Sequence, residues 1–153
     1  MEQEQRLGIL GGMGPQATQV FYQRILDKTD ASRDQEHVPT LIWSDTGMPD
    51  RTRAILSGET EPVFARLLSG ARLLEREGCT VLAIPCNTSH YFADRLQGDI
   101  AIPLIHMPRE TVAVLAAGAL ASARLWLGCH TIRQVAAGYV GGFIVATLAV
   151  LLL

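Results

Sequence analysis

Leu7-Gly8-Ile9-Leu10-Gly11-Gly12-Met13-Gly14-Pro15 is the stretch that decides the fold. Residues 7–10 form an apolar run of strand length, Gly11, Gly12 and Gly14 make a tight turn, and Pro15 is preset for the first turn of a helix. Ala17, Val20, Phe21 and Ile25 then share one face of that helix. A strand that runs through glycines into an amphipathic helix opens a beta-alpha unit. The chain repeats the theme up to about residue 110.

Working outward, residues 38–43 read as a second strand closed by Ser44-Asp45-Thr46-Gly47, and a polar loop through Asp50 and Arg51 follows. Val63, Leu67, Gly70, Ala71 and Leu74 recur at helical spacing, and Gly78 stands at the usual stop position. Residues 80–85 are a third strand, 91–96 a short helix, 102–106 a fourth strand and 109–121 a further helix. The expected fold is therefore α/β, a parallel-sheet beta-alpha-beta lobe over residues 1–118 with an apolar helical tail over 119–153.

Composition narrows the function. With 153 residues, 48% hydrophobic content and a formal net charge of -2, the chain is a foldable single domain whose scattered Lys and Arg leave no electrostatic footprint for nucleic acid. The three cysteines, Cys79, Cys86 and Cys129, form no Cys-x-x-Cys pair, and their odd number argues against a disulfide framework. Residues 1–6 are polar and acidic, unlike a secretory signal, so the expected location is the cytoplasm. The tail differs in kind: beyond Glu110, 43 residues hold Arg124, Arg133 and no acidic residue. Residues 135–153 carry no charge at all and read either as a membrane span or as a buried helix, although three glycines and a threonine interrupt the run. With Arg124 and Arg133 upstream, a spanning tail would keep the lobe on the cytoplasmic side.

In open parallel sheets ligands bind beyond the carboxyl ends of the strands, and three turns fall there: residues 11–16, 44–51 and 86–90. The glycine turn lacks the dinucleotide spacing, so it reads either as a tight turn or as bare backbone approached by a substrate. Cys86 lies between a buried strand and an expected helix start, where free N–H groups favour a thiolate, whereas Cys79, just before that strand, reads as an inert core thiol. Asn87, Thr88 and Ser89 serve either as caps or as ligands, and His90 either as an acid/base or as a packed ring. Arg51 is either a two-point carboxylate clamp or a solvated surface residue.

Together Leu7 to Pro15, Pro49-Asp50-Arg51-Thr52 and Pro85-Cys86-Asn87-Thr88-Ser89-His90 resemble the amino-terminal half of the aspartate/glutamate racemase family, over residues 6–115. The resemblance implies an isomerase acting on a small amino acid without pyridoxal phosphate, metal or other cofactor. Two cysteines would face the alpha carbon from opposite sides. By matching position Cys86 would be one acid/base and Arg51 a carboxylate clamp, while Met13, Gly14, Asn87 and Thr88 would shape the substrate site. The role of His90 stays open. The family carries a second, similar lobe with the other cysteine in a Gly-Cys-Thr context, and the chain ends before such a lobe is completed. Gly128-Cys129-His130-Thr131 comes too early to be its counterpart, so Cys129 is not expected to be the second thiol. A homo-oligomer pairing two copies of Cys86, or a binding domain without turnover, are the alternatives. Residues 122–138, with Arg124 and His130, are similar to the last motif and membrane helix of phosphatidic-acid-type lipid phosphatases, whose earlier motifs the chain does not have.

Overall fold

The structure is a computed structural model that describes residues 5–126, with side chains through residue 119. Four parallel strands, β1 (Leu7–Gly11), β2 (Thr40–Ser44), β3 (Val81–Ala83) and β4 (Leu104–Ile105), form one sheet in the order β2-β1-β3-β4. The helices are α1 (Pro15–Lys28), α2 (Arg51–Ser57), α3 (Glu61–Arg76), α4 (Ala93–Gly98) and α5 (Met107–Trp126), with short 3-10 turns at Asp34–Glu36 and Thr88–Phe92. The chain divides after Glu110 into two units, Met1–Glu110 and Thr111–Leu153. The first carries the sheet.

Every residue of β1 is buried because the strand is central and covered on both faces. Its alternating side chains feed two cores. Leu7 and Ile9, with Ala83, meet Phe21, Tyr22 and Ile25 of α1, whereas Leu10 joins Val63, Leu67, Ala71 and Leu74 of α3. The helical spacing that predicted α3 thus corresponds to a buried stripe, with Leu67, Ala71 and Leu74 fully enclosed.

The face of α1 differs from the expected one. Ala17 is exposed and Val20 is 58% exposed, while Thr18 is buried. The turn of the helix about its axis is set by the Thr18 hydroxyl, which is held under the glycine turn, so Tyr22 and Ile25 rather than Val20 line the interior. Strand lengths also differ. The third strand stops at Ala83 instead of residue 85, since Pro85 has no N–H for a ladder and the Cys86 N–H donates to the Ile84 carbonyl (2.8 Å), closing a three-residue turn. The fourth is reduced to Leu104 and Ile105.

The polar loop expected through Arg51 is instead the start of α2. Asp50 is its N-cap, its carboxylate accepting the Arg53 N–H (3.0 Å), and Gly58 ends the helix in the left-handed region. The last helix starts at Met107 rather than 109, with the ring of His106 accepting the Arg109 N–H (3.3 Å). Among the described residues no helix is long and apolar enough to cross a membrane. Cys129, His130, Arg133 and residues 135–153, on which the tail readings rest, lie outside the described residues, as does the side chain of Arg124.

Candidate active site

The strand order has a physical consequence for where a site forms. From β1 the chain moves to β2 on one side, then crosses to β3 on the other, so the connections diverge at β1 and β3, the switch point at whose carboxyl ends open parallel sheets form a ligand crevice. The register Leu7↔Val81, Gly8↔Leu82, Ile9↔Ala83 brings the glycine turn and the Cys86 loop out side by side. The two loops touch: the buried Ser89 hydroxyl lies 3.4 Å from the Met13 sulfur.

The glycine turn is built by sterics and one hydroxyl. Gly12 has φ +87°, and a Cβ there would collide with the Asp45 backbone; a Cβ on Gly11 would collide with the Thr18 side chain. Thr18 Oγ1 accepts the Gly12 N–H (2.9 Å) and donates to the Gly14 carbonyl (3.1 Å), tying both ends of the turn. The Asp45 N–H donates to the Gly11 carbonyl (3.1 Å) from the end of β2. Gly14 is exposed, with open space where a Cβ would stand. Met13 goes the other way: its side chain is buried in the core cluster that also holds Met48 and Cys86.

Cys86 is 9% exposed, at the margin of the core, and the described cysteines Cys79 and Cys86 are free thiols. The sequence predicts a helix start after Cys86; the chain instead winds as the 3-10 turn Thr88–Phe92 and becomes α-helical only at Ala93. Asn87 makes no side-chain cap and is exposed, Thr88 is half-buried, and Ser89 is directed to Met13, so none of the three caps a helix here. His90 is buried. Its Nδ1 lies 2.9 Å from the Cys86 carbonyl, and its Nε2 accepts the Met107 N–H (3.1 Å). Cys79 is the inert counterpart: burial pushes its thiol up, partly countered by Arg6.

Arg51 stands at the first position of α2, which packs against the 3-10 turn after Cys86. It is half-buried, and Nη1 donates to the Pro49 carbonyl (3.2 Å), while Nε is buried without a hydrogen-bond partner. A buried donor in that condition favours an acceptor brought by a ligand. One nitrogen of the guanidinium is thus tied to its own loop.

Asp45 and Arg66 were missed from sequence. Arg66 reaches the Asp45 carboxylate with two bonds, Nε–Oδ2 at 2.6 Å and Nη2–Oδ1 at 2.8 Å, and the Gly47 N–H donates to Oδ1 (3.1 Å). The Arg66 hydrogen bond holds the Asp45 carboxyl below its ordinary range, with the Gly47 N–H and the Arg66 charge adding to it against the cost of burial. A groove of about 240 Å³ beside this pair is lined by Trp43, Asp45, Arg66, Ser69, Gly70 and Leu73, without Cys86. Thr18 was equally hidden, since a threonine on a helix carries no mark of the loop it will hold.

Comparison with known proteins identifies the family. The Asp/Glu/hydantoin racemase family model matches residues 10–134. The chain is 30% identical over 110 residues to the broad specificity amino-acid racemase RacX of Bacillus subtilis (strain 168), covering 69% of this chain and 47% of that protein. Among solved structures it resembles Picrophilus torridus aspartate racemase with a TM-score of 0.62 and 31% identity, over 78% of this chain and 48% of that one. An aspartate racemase homologue from Pyrococcus horikoshii OT3 shares the fold at 21% identity, with a TM-score of 0.56 and coverage of 81% and 50%. The chain spans about half the length of each of these relatives. A parallel sheet in the order β2-β1-β3-β4 and a family match over residues 10–134 place the chain in the Asp/Glu/hydantoin racemase family.

Proposed function

We propose that the chain acts on the alpha carbon of an acidic amino acid, with the Cys86 thiolate as the base on one face. The observation that supports this most is the seating of Cys86 on a loop at the crevice, joined to the glycine turn through Ser89 and Met13. In the step itself the thiolate takes the alpha proton, forming S–H, and the C–H electron pair passes into the carboxylate as an enolate. Return of a proton from the same thiol restores the original enantiomer, and return from an acid on the opposite face inverts it. The alpha proton is a very weak acid, so a positioned base, worth about 10²–10⁴-fold in rate, must be joined by groups that neutralise the carboxylate.

Arg51 supplies that neutralisation. Its Nε, unpartnered within the chain, and its planar fork suit two-point binding of a carboxylate. The exposed backbone at Gly14 and the uncommitted Asn87 side chain, with Thr88 beside it, complete the substrate surface, and Met13 shapes it from below. This chemistry uses side chains and backbone of the chain and calls on no cofactor.

The test is alpha-proton exchange of L-aspartate and L-glutamate in deuterated water, followed by NMR together with the enantiomeric ratio. Exchange that disappears in a folded Cys86→Ser variant supports the reading. Exchange with retention shows one working face, and exchange with inversion shows an opposite-face acid, as a second copy's Cys86 across a symmetric interface would provide. Equal rates in both proteins remove Cys86 from the mechanism.

A further inference from the structure

His90 is a buried titratable group that the reaction just described does not use, although its ring is bonded at both nitrogens. Because Pro85 interrupts the strand and the next residues wind as a 3-10 turn, the His90 N–H goes to the Asn87 carbonyl (3.0 Å). In an α-helix that N–H would have reached the Cys86 carbonyl. Here the His90 ring takes its place, with Nδ1 at 2.9 Å from that oxygen.

The tautomer follows from both ring nitrogens. Nε2 lies 3.1 Å from the Met107 backbone N–H, which can only donate, and a longer 3.5 Å from the Ile105 carbonyl, which can only accept. Nδ1 faces an acceptor at 2.9 Å, so the two shorter contacts together put the lone pair on Nε2 and the ring proton on Nδ1, aimed at Cys86. One neutral ring thus links the peptide that carries the thiol to the first residue of α5. We propose that His90 is a positioning residue for Cys86, acting through the Cys86 carbonyl; this rests on the reading of Cys86 as the base. The Nδ1–H draws on the carbonyl oxygen, whose negative end would otherwise oppose a thiolate on the same residue, and it fixes the peptide plane from which the thiol projects.

Two substitutions separate the two bonds. His90→Asn places an amide N–H near the position of Nδ1 and abandons Met107; His90→Gln places an amide oxygen near Nε2 and abandons the Cys86 carbonyl. The readout is the rate of Cys86 alkylation by iodoacetamide as a function of pH, quantified on the Cys86 peptide by mass spectrometry, with the Cys79 peptide as the folding control and the melting temperature in parallel. The expected result is an alkylation profile for His90→Gln displaced upward in pH, with about a tenfold slower rate at neutral pH, equivalent to one unit in the thiol pKa. His90→Asn is expected to remain within about twofold of the parent even if its melting temperature falls as far, because it keeps an N–H donor to the Cys86 carbonyl. Equal rates in the two variants, or rates that simply follow the melting temperatures, overturn the proposal. Nitrogen-15 NMR of the histidines in the unaltered protein tests it without any variant: a protonated Nδ1 and bare Nε2 on His90 are required, and the opposite tautomer overturns it. Alkylation is measured whether or not the protein turns over an amino acid, so failure here is distinct from failure of the exchange experiment.

Discussion

The glycine turn after β1 and the cysteine loop after β3 leave neighbouring strands, yet they are held by different means. Thr18, six residues beyond Gly12 and on the helix that the turn itself starts, secures the first with a hydroxyl, and the backbone of Asp45 closes the space behind it. The second is secured by His90, whose ring joins Cys86 to Met107, 17 residues further along the chain. A hydroxyl has no charge change in the ordinary pH range, whereas an imidazole holds a single proton in a specified place. The glycine turn is therefore held by a hydroxyl of its own helix and by the backbone after β2, whereas the loop that carries the thiol is tied by a titratable ring to the start of α5.

Four substitutions break or sharpen that contrast. The largest effect belongs to Cys86→Ser, expected to lower alpha-proton exchange by at least about 10²-fold with the melting temperature nearly unchanged, as measured by NMR and calorimetry. Gly12→Ala comes next. The left-handed φ and the collision with Asp45 are expected to cost about 2–4 kcal/mol in urea denaturation, by combining strain at a positive φ with overpacking. Thr18→Val keeps the shape and removes the hydroxyl, leaving the buried Gly12 N–H unpaired, for an expected loss of about 1–3 kcal/mol with Cys86 alkylation unaltered. Gly14→Ala is the smallest in stability, within about 0.5 kcal/mol, since nothing lies near its Cβ. Its effect is expected on substrate affinity, read as a raised KM.

A pH experiment examines the brace behind the glycine turn. Asp45 is held below the ordinary carboxylate range by Arg66, so its folded pKa lies under its unfolded one. The stability it contributes is present above about pH 4 and is lost as pH falls through the lowered value. Acid denaturation of Asp45→Asn is therefore expected to show a shallower loss of stability below about pH 4 than the parent, with a lower plateau near neutrality.

Much of the fold was readable because burial writes itself into spacing. The five apolar positions of α3 recur at helical intervals, and the run from Leu7 into three glycines announces both a central strand and a turn at its end. Cys86 and Arg51 stood out as candidates for the same local reason, each lying in a short loop motif. What sequence did not show is what depends on partners far along the chain: Arg66 for Asp45, 21 residues away, and Met107 for His90. The 3-10 turn after Cys86 was hidden as well, since residues 88–92 have the composition of an ordinary helix start and differ only in which carbonyl receives the His90 N–H. Nor did the apolar pattern of α1 reveal its inner face, because a polar hydrogen bond at Thr18 outweighs the preference of Val20 for the interior.

The register between β1 and β3 acts as a ruler. Three consecutive pairs, Leu7 with Val81, Gly8 with Leu82 and Ile9 with Ala83, fix the offset of the two loops through main-chain bonds alone. The separation of the cysteine loop and the glycine turn is thereby set by the strand spacing of about 4.8 Å and is insulated from the identity of the side chains around it. Those side chains are free to drift among apolar residues of similar volume. A slip of one residue is a different matter: it would carry Cys86 about 3.3 Å along the sheet and exchange the inner and outer faces of β3 in a single step.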